Sequence, residues 1–392
     1  MFSTLFIVLL LGLVFFEALK GLSANGTPPI LQKLPGQMQV AYYSWSSIGV
    51  LRIIGGIALA ACLVLAAPEM RLILIAVAVP LVLIWFGIYW LFNRIWVGRI
   101  KFPALSTKVF VGQEDNELDP NLQVIGLDYK GEQKAFPVNM VTFHHQIVDS
   151  IADLPVWVTY CGLCRSGRVY DLNVDGMTLD FTLVGAIAFN ATFEDNQTGT
   201  WWQQETGEAA MGKLKGRVLE DVGFEQMTLA NWLEKHPSSQ ILQYDPNFTR
   251  RYNFVAKLQN FEATKPAWHM QETPSLVMGL EIDGVARGYD WEQLKTSQVV
   301  MDDVNDAPIV LAVSPDQSSA LAYSREHDGE ILAFTATDAG MTDSQTGSTW
   351  NWFGTCVSGA LEGQKLTPLQ SYQQYVRSWI TFHPNTTFYD FG

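Results

Sequence analysis

The chain is poor in charge, in cysteine and in basic residues. Only 16% of its 392 residues are charged while 48% are hydrophobic, whereas soluble proteins carry roughly 25% charged residues. Its 25 Lys and Arg are outnumbered by 39 Asp and Glu. So acidic a chain is a poor nucleic-acid binder, because affinity for phosphate rests on basic side chains. Four cysteines are too few for a small fold held by disulfides.

Several catalytic signatures are also missing. The sequence contains no Walker loop, no Rossmann fingerprint, no Gly-x-Ser-x-Gly and no His-Glu-x-x-His. The common motifs for phosphate binding, dinucleotide binding, serine hydrolysis and zinc proteolysis therefore give no support to those functions. What remains is a low-charge, aromatic-rich chain whose composition suggests a membrane part joined to a soluble part.

Three apolar runs occupy the first hundred residues. Residues 2–16 carry no charge, residues 53–67 are apolar throughout, and residues 72–92 are again uncharged. About 20 apolar residues cross a bilayer, which the third run satisfies and the second satisfies if Arg52 extends toward the headgroups. We predict three transmembrane helices within residues 1–100. The alternative is a cleaved signal peptide followed by two helices.

The orientation of this anchor is indicated by few basic residues. Arg94, Arg99 and Lys101 follow the third run, whereas Arg71 alone lies in the opposite short loop. A positive-inside count would therefore place the large C-terminal part in the cytoplasm. Long domains translocate regardless of such charges, so this count leaves export open.

The remainder of the chain resembles itself. Residues 124–131 align with residues 277–284 at an offset of 153, and residues 195–202 align with residues 343–350 at an offset of 148. We therefore expect an α-helical membrane anchor plus a β-rich soluble region made of two tandem repeats of one α+β or mainly-β unit. The predicted parts are the anchor (1–100), the first repeat (104–242), a linker (243–275) and a second, degenerate repeat (276–392).

The two repeats differ most in sulfur. Cys161-Gly-Leu-Cys164 aligns with a Ser-Pro-Asp-Gln segment that begins at Ser314. The motif follows a strand-like run and precedes Ser-Gly, which predicts a strand–knuckle–strand rather than a thiol at a helix start. Two thiols at this spacing close a disulfide or hold a soft metal ion. The positive charges of Arg165 and Arg168 would lower the pKa of the thiols.

The repeats also differ in imidazole, because His144 and His145 align with Ser297 and Gln298. A closed zinc site needs four ligands, and no second Cys-x-x-Cys is present. The two histidines are the candidates to complete it, although a buried histidine that bonds a carbonyl is the commoner case. The candidate copper or zinc ligands are Cys161, Cys164, His144 and His145.

Other notable residues favour structural roles. His236 and His383 each precede Pro at the end of a short helical pattern, which favours helix capping. Cys62 lies in the second apolar run and Cys356 aligns with an alanine, so both are expected to pack in cores. The repeated Asp-x-x-Thr-Gly segment that ends in Trp is expected to be a turn anchored by its tryptophan.

The segment from His145 through Thr-Tyr-Cys161-Gly-Leu-Cys164, with the Asp-x-x-Thr-Gly turn, resembles the bacterial family called domain of unknown function 3179. The resemblance covers roughly residues 104–390. The family pattern has Pro where this chain has Gly162, and Glu where it has Gln146. The resemblance implies export, and hence a bacterial inner-membrane anchor with a periplasmic domain. Because some members are said to carry selenocysteine in this motif, it also implies thiol redox chemistry.

We therefore favour a membrane-anchored thiol redox protein. Cys161 would attack as thiolate, Cys164 would resolve, His145 would accept the thiol proton and Arg165 would support the negative charge. One alternative is a copper- or zinc-binding protein, and another is a non-catalytic subunit or docking module of a membrane complex. The expected partners are the lipid bilayer and a membrane protein or a second copy of the chain, with no nucleic acid.

Overall fold

The computed structural model describes residues 1–25, 32, 35–262, 275–338 and 340–392. The predicted linker over residues 243–275 is therefore described only in part, and residues 263–274 lie outside the described residues. The helices of the N-terminal part are α1 (Phe2–Ala24), α2 (Gln37–Leu65), α3 (Pro68–Trp90) and α4 (Gly98–Lys101), with a π-helical turn (Leu91–Ile95) after α3.

The rest of the chain is rich in short strands. Its first half contains β1 (Phe110–Val111), β2 (Gln123–Tyr129), β3 (Glu132–Pro137), α5 (Val138–His144), β4 (Gln146–Ile151), β5 (Leu154–Cys161), β6 (Ser166–Asp171), β7 (Asn173–Val174), β8 (Met177–Thr178), β9 (Phe181–Ile187), β10 (Asn190–Asp195), β11 (Trp201–Gln203), β12 (Ala209–Met211), β13 (Glu225–Thr228), α6 (Leu229–Lys235), β14 (Gln240–Leu242) and α7 (Thr249–Glu262).

Its second half contains β15 (Leu276–Ile282), β16 (Val285–Asp290), α8 (Trp291–Ser297), β17 (Val299–Val304), β18 (Ala307–Val313), β19 (Ala320–Ser324), β20 (Glu326–His327), β21 (Glu330–Ile331), β22 (Phe334–Thr337), β23 (Gly340–Asp343), β24 (Thr349–Trp350), β25 (Cys356–Ser358), β26 (Pro368–Leu369), β27 (Ser371–Tyr375), α9 (Val376–Phe382) and β28 (Thr387–Phe388).

The chain forms two compact units. The first unit combines residues 1–103 with residues 179–218, and the second combines residues 104–178 with residues 219–392. Residues 179–218 belong by sequence to the first predicted repeat, yet they fold with the N-terminal helices.

Three helices of the first unit are long and apolar enough to cross a membrane: Phe2–Ala24, Gln37–Leu65 and Pro68–Ile95. Large aliphatic side chains face outward on them, as at Leu72, which is 78% exposed. A short connection joins the second and third helices, and Pro68 occupies the first position of α3, where its missing N–H costs nothing. These features indicate membrane association.

A polar cluster around the buried Glu17 joins the three long helices. Arg52 of α2 donates Nε and Nη2 to the carboxylate of Glu17 at 2.9 and 2.6 Å. Asn93 donates Nδ2 to Glu17 Oε1 at 2.9 Å, and Lys20 donates Nζ to Asn93 Oδ1 at 2.5 Å. The carboxylate of Glu17 therefore compensates the charge of Arg52 within the bundle, where the sequence suggested extension toward the headgroups.

The first unit also contains one antiparallel sheet with the order β12-β11-β10-β9. Its residues Val184, Ile187 and Trp201 share a hydrophobic cluster with Ala24 of α1 and Ala41 of α2. Burial of these side chains attaches the sheet to the end of α1 and the start of α2.

In the second unit, the same sheet topology occurs twice. Strands β14-β3-β2-β13 form one sheet, to which β1 adds an edge, and strands β28-β16-β15-β27 form another in the same order. In both sheets the pair between the first two strands is parallel and the other pairs are antiparallel. A separate antiparallel sheet, β4-β5-β6, has the counterpart β17-β18-β19, which β26 extends.

Tryptophans fix the helices α6 and α9 onto these sheets. A side-chain Cβ at Gly126 of β2 would lie 2.3 Å from Trp232, and one at Gly279 of β15 would lie 2.6 Å from Trp379. Both indoles are fully buried, so glycine is required for this close approach. The β-rich architecture with three long apolar helices agrees with the expected fold class in its broad outline.

Candidate thiol site

The cysteine motif lies in a turn between two antiparallel strands. Cys161 ends β5 and pairs in register with Ser166 at the start of β6. The backbone N–H of Cys164 donates to the carbonyl oxygen of Cys161 at 3.2 Å, and Arg165 completes the turn with a φ of 54°. The predicted strand–knuckle–strand is confirmed, because no helix begins at either cysteine.

The knuckle brings the two sulfurs together. Cys161 Sγ and Cys164 Sγ are 3.3 Å apart, and both residues are thiols that are not joined to each other. Each residue is only 1% exposed. A small movement would close a disulfide, since bonded sulfurs lie about 2.05 Å apart. Because both cysteines are buried, only small reagents are expected to reach their sulfurs directly.

A strand from the second half of the chain covers the knuckle. Tyr375, at the end of β27, donates its backbone N–H to the carbonyl oxygen of Cys164 at 2.9 Å. The Arg165 guanidinium carbon lies 5.9 Å from the centroid of the Tyr375 ring. The site is therefore assembled from residues more than two hundred positions apart in sequence.

The same strand also meets the buried side chain of Arg168. The Arg168 guanidinium carbon lies 3.7 Å from the Tyr372 ring centroid, a cation–π contact. Arg168 Nη2 donates to Gln374 Oε1 at 3.4 Å. The two arginines that follow the motif in sequence are both held by β27.

Tyr160 lies next to the thiols with its side chain fully buried. Burial raises the pKa of the Tyr160 phenol, and the positive charge and hydrogen bond of Arg165 offset part of that rise. The predicted role of Arg165 in supporting a negative charge on sulfur is not tested by this contact. It stays a prediction.

His144 and His145 have different surroundings. His144 is buried on the last turn of α5, where its Nε2 lies 2.7 Å from Tyr252 Oη and its ring contacts Phe143 and Phe248. His145 is the C-cap that follows α5, with a φ of 64°, and its carbonyl oxygen accepts a hydrogen bond from the backbone N–H of Tyr160 at 3.4 Å. His144 thus joins an aromatic cluster with α7.

Of the four predicted metal ligands, the two cysteines lie together. Within the ranges that the structure describes, no group of three or more His, Cys, Asp or Glu side chains could hold a metal ion. The four candidates Cys161, Cys164, His144 and His145 all lie in those ranges. The metal-binding alternative stays a prediction, and it would need further ligands to complete a four-coordinate site.

The residues assigned structural roles from sequence have them. His236 and His383 are the C-terminal caps of α6 and α9. Cys62 and Cys356 are buried in hydrophobic clusters. The repeated turn is anchored as expected, because Trp350 donates Nε1 to Asp343 Oδ2 at 2.9 Å, and the turn at residues 195–202 has the same bond at 2.8 Å.

A cavity of about 490 Å³ lies elsewhere in the second unit. Trp232, His236, Tyr323 and Gln370 are among its lining residues. Burial, and then the positive charge of Lys235, lower the pKa of His236. Neither cysteine of the knuckle lines this cavity, so it is not part of the thiol site.

Sequence reasoning missed the contribution of β27 and the polar residue Thr159. Nothing in the spacing of Tyr372, Gln374 and Tyr375 marks them as neighbours of a motif in the other half of the chain. A position-by-position comparison of the halves would have detected Thr159, because it aligns with Ala312.

Comparison with known proteins identifies a family without assigning an activity. A family model described as "Protein of unknown function (DUF3179)" matches residues 99–386, which is most of the chain. No curated protein matches the chain, and no solved structure matches it. The family suggested by the cysteine motif and its neighbouring segments is confirmed.

Proposed function

We propose that this chain, which belongs to the DUF3179 family of proteins of unknown function, is a membrane-anchored dithiol–disulfide redox protein with Cys161 and Cys164 as its reactive pair. The observation that carries the proposal is the 3.3 Å separation of their sulfurs in a turn. Two thiols so placed convert to a disulfide without rearrangement of the strands that hold them.

The proposed reaction is exchange with a small external disulfide. The Cys161 thiolate attacks one sulfur of that disulfide, so a mixed disulfide forms and the first small thiolate leaves. Cys164 then attacks the Cys161 sulfur, which closes the Cys161–Cys164 bond and releases the second small thiolate. The two protons of the protein thiols go to the two leaving thiolates, and the small disulfide is reduced by two electrons.

Burial supports a small partner over a protein partner. With Cys161 and Cys164 each 1% exposed, another folded protein could not bring a disulfide in line with either sulfur. In this scheme the positive charge of Arg165 favours the thiolate. His145, whose carbonyl oxygen is bonded to the residue before Cys161, is the proposed proton acceptor.

We infer further that the β-rich region arose by duplication, with copies at residues 104–242 and 276–392. The recurring strand order supports this, as does the recurring set of tryptophan, glycine and histidine contacts. The paired contacts are Trp232 on Gly126 with His236 3.6 Å from Asp128, and Trp379 on Gly279 with His383 2.9 Å from Glu281. Under this inference the second copy lost the thiols and kept a structural role.

We place the β-rich region on the periplasmic side of a bacterial inner membrane, where disulfides persist. Arg94, Arg99 and Lys101 oppose this placement by the positive-inside rule. Fusion of alkaline phosphatase to the C-terminus tests it, because that enzyme is active only after export. An inactive phosphatase fusion together with a fluorescent cytoplasmic reporter fusion would contradict the placement.

The redox proposal is tested by thiol counting on the full chain in detergent. Oxidation by bis(2-hydroxyethyl) disulfide should remove two titratable thiols, and dithiothreitol should restore them. Cys161→Ser and Cys164→Ser should each abolish this reversible loss. Cys356→Ser is the matched control, because Cys356 is also buried but begins strand β25 and is not part of a Cys-x-x-Cys pair. It should leave the loss unchanged.

Metal analysis of the same anaerobic preparations separates the alternatives. One zinc or copper per chain that is absent from the double Cys161→Ser, Cys164→Ser variant would support metal binding and overturn the redox proposal. If both thiols resist every small disulfide in the native protein and no metal is bound, the redox proposal also fails. The reading as a docking module of a membrane complex would then be favoured.

A further inference from the structure

One row of polar residues crosses the three-stranded sheet that contains the cysteine knuckle. Gln146 of β4 pairs in register with Thr159 of β5, and Thr159 pairs with Arg168 of β6. Thr159 is 0% exposed and Arg168 is 3% exposed. A buried guanidinium and a buried hydroxyl side by side on a sheet face are unusual, because polar groups lose their hydration when they are buried.

The second half of the chain has the same row in apolar form. Val299 pairs in register with Ala312, and Ala312 pairs with Leu321. Each of these residues is 153 positions after its counterpart. Ala312 and Leu321 lie in a hydrophobic cluster, and Val299 packs against it. Aliphatic side chains can therefore fill this row in a sheet of the same geometry. The polar row beside the thiols is not needed to form the sheet.

The polar row lies next to the proposed reactive pair. Thr159 and Cys161 are two residues apart on β5, so their side chains point to the same face of the sheet. Two residues along a strand correspond to roughly 7 Å. Arg168 and Ser166 are related in the same way on β6, and Ser166 pairs with Cys161. The row is therefore within the length of a small disulfide from the Cys161 sulfur.

Two hydrogen-bond donors, one in this row and one on the neighbouring strand β27, lack acceptors. Thr159 Oγ1 and Gln374 Nε2 are buried, and neither has a hydrogen-bond partner within the described part of the chain. Gln374 is 0% exposed and receives the Arg168 guanidinium at its other amide atom, Oε1. Buried donors of this kind are rare in native proteins and call for an explanation such as a missing ligand.

We propose that Thr159, Arg168 and Gln374 form a subsite for the negatively charged end of the substrate, which makes that substrate a small anionic disulfide. The inference rests on the proposed redox function and specifies its substrate class. A carboxylate supplies acceptor oxygens for the hydroxyl and the amide N–H, and it is attracted by the guanidinium. The disulfide bond of the same molecule is then held beside Cys161.

The test compares three small disulfides of similar size and different charge. These are 3,3′-dithiodipropionate, which is anionic, bis(2-hydroxyethyl) disulfide, which is neutral, and cystamine, which is cationic. Because the three disulfides release thiols of different pKa, each rate is divided by the rate of the same disulfide with dithiothreitol, a small uncharged dithiol. On this scale we expect the full chain to be oxidised at Cys161 and Cys164 by the anionic disulfide roughly tenfold faster than by the cationic one, as electrostatic recognition of a charged substrate provides.

Variants that carry the residues of the second half identify the subsite. Arg168→Leu and Thr159→Ala introduce the side chains found at the equivalent positions, and Thr159→Ala keeps the test possible if Arg168→Leu does not fold. Each should lower the ratio of anionic to cationic rates, and Arg168→Leu should bring it close to unity. Arg168→Lys should keep most of the preference. Lys257→Gln, which removes an exposed charge on α7, should leave the ratio unchanged.

The outcomes separate this inference from the redox function. Equal normalised rates for all three disulfides would overturn the anionic subsite while the redox function stands. An unchanged rate ratio in folded Arg168→Leu and Thr159→Ala proteins would also overturn it. If none of the three disulfides oxidises the pair, the redox function itself fails.

Discussion

The backbone N–H of Tyr375 donates to the carbonyl oxygen of Cys164 at 2.9 Å, so strand β27 of the second half is hydrogen-bonded to the cysteine knuckle of the first half. That single bond has a consequence for reactivity. While β27 stays in place, the sulfurs of Cys161 and Cys164 remain buried. Detachment of β27 would raise their exposure.

Loss of this N–H should increase thiol access. Tyr375 has a φ of −66°, which proline adopts without strain, so Tyr375→Pro removes the donor and Tyr375→Ala keeps it. One hydrogen bond contributes about 1 kcal/mol, or roughly fivefold in an opening equilibrium. In a Cys62→Ser, Cys356→Ser background, a small maleimide should label the Pro variant about fivefold faster than the Ala variant. Equal labelling rates would show that the bond does not control access.

Gly126 should be intolerant of a side chain. An alanine Cβ there would lie 2.3 Å from the Trp232 ring, and such overpacking costs about 1–3 kcal/mol. Gly112→Ala is the matched control, because Gly112 has a φ of −74° and nothing within 4 Å of its Cβ position. Thermal unfolding in detergent should show a lower midpoint for Gly126→Ala alone. Equal midpoints would contradict the packing argument.

Asp343 should make the folded protein less stable as the pH falls into the acid range. Burial alone raises its pKa, but hydrogen bonds from Trp350 and Thr346 outweigh burial and hold the pKa below its usual value. Because the pKa of Asp343 is lower in the folded state, its carboxylate stabilises the fold at pH values above its pKa in the unfolded chain, about 3.9. This stabilisation is lost as the pH falls through the pKa of the folded state.

Asp343→Asn removes this titration. The midpoint of thermal unfolding should therefore fall less for Asp343→Asn than for the unchanged chain between about pH 5 and pH 2. Asp328→Asn, at an exposed carboxylate, is the control and should retain the steeper dependence. A wild-type slope in Asp343→Asn would mean that other carboxylates govern acid unfolding.

Loss of one member of the Glu17–Arg52 ion pair should destabilise the helix bundle more than loss of both. Glu17→Met leaves Arg52 without its carboxylate partner in the helix bundle, which should cost up to about 3 kcal/mol. The double variant Glu17→Met, Arg52→Met removes both charges and should recover most of the loss. Detergent-resistance melting measures both. A double variant less stable than Glu17→Met alone would refute this.

Local features were predictable from the sequence because their physical causes are local. The apolar runs predict long helices because about 20 such residues match the bilayer core. The knuckle at Cys161 is predictable because Ser-Gly after the second cysteine does not begin a helix. The capping role of His236 follows from its position before a proline at the end of a helical pattern.

Contacts between distant segments were not predictable in the same way. The imidazole of His144 lies within hydrogen-bond distance of the Tyr252 hydroxyl, and the guanidinium of Arg52 donates to the carboxylate of Glu17. Each partner lies in another helix, and its choice depends on how the helices pack. Spacing within one segment carries no record of that packing, so the expectation for Arg52 rested on the single helix alone.

The sequence by itself determined where the chain is apolar enough for a membrane, where its strands turn, and that two thiols lie three residues apart, because each depends on neighbouring residues and on side-chain chemistry. Only the tertiary structure decided that β27 covers those thiols and that Thr159, Arg168 and Gln374 lie beside one another. Those proximities arise when sheets from both halves bury their faces together, and burial is a property of the whole fold.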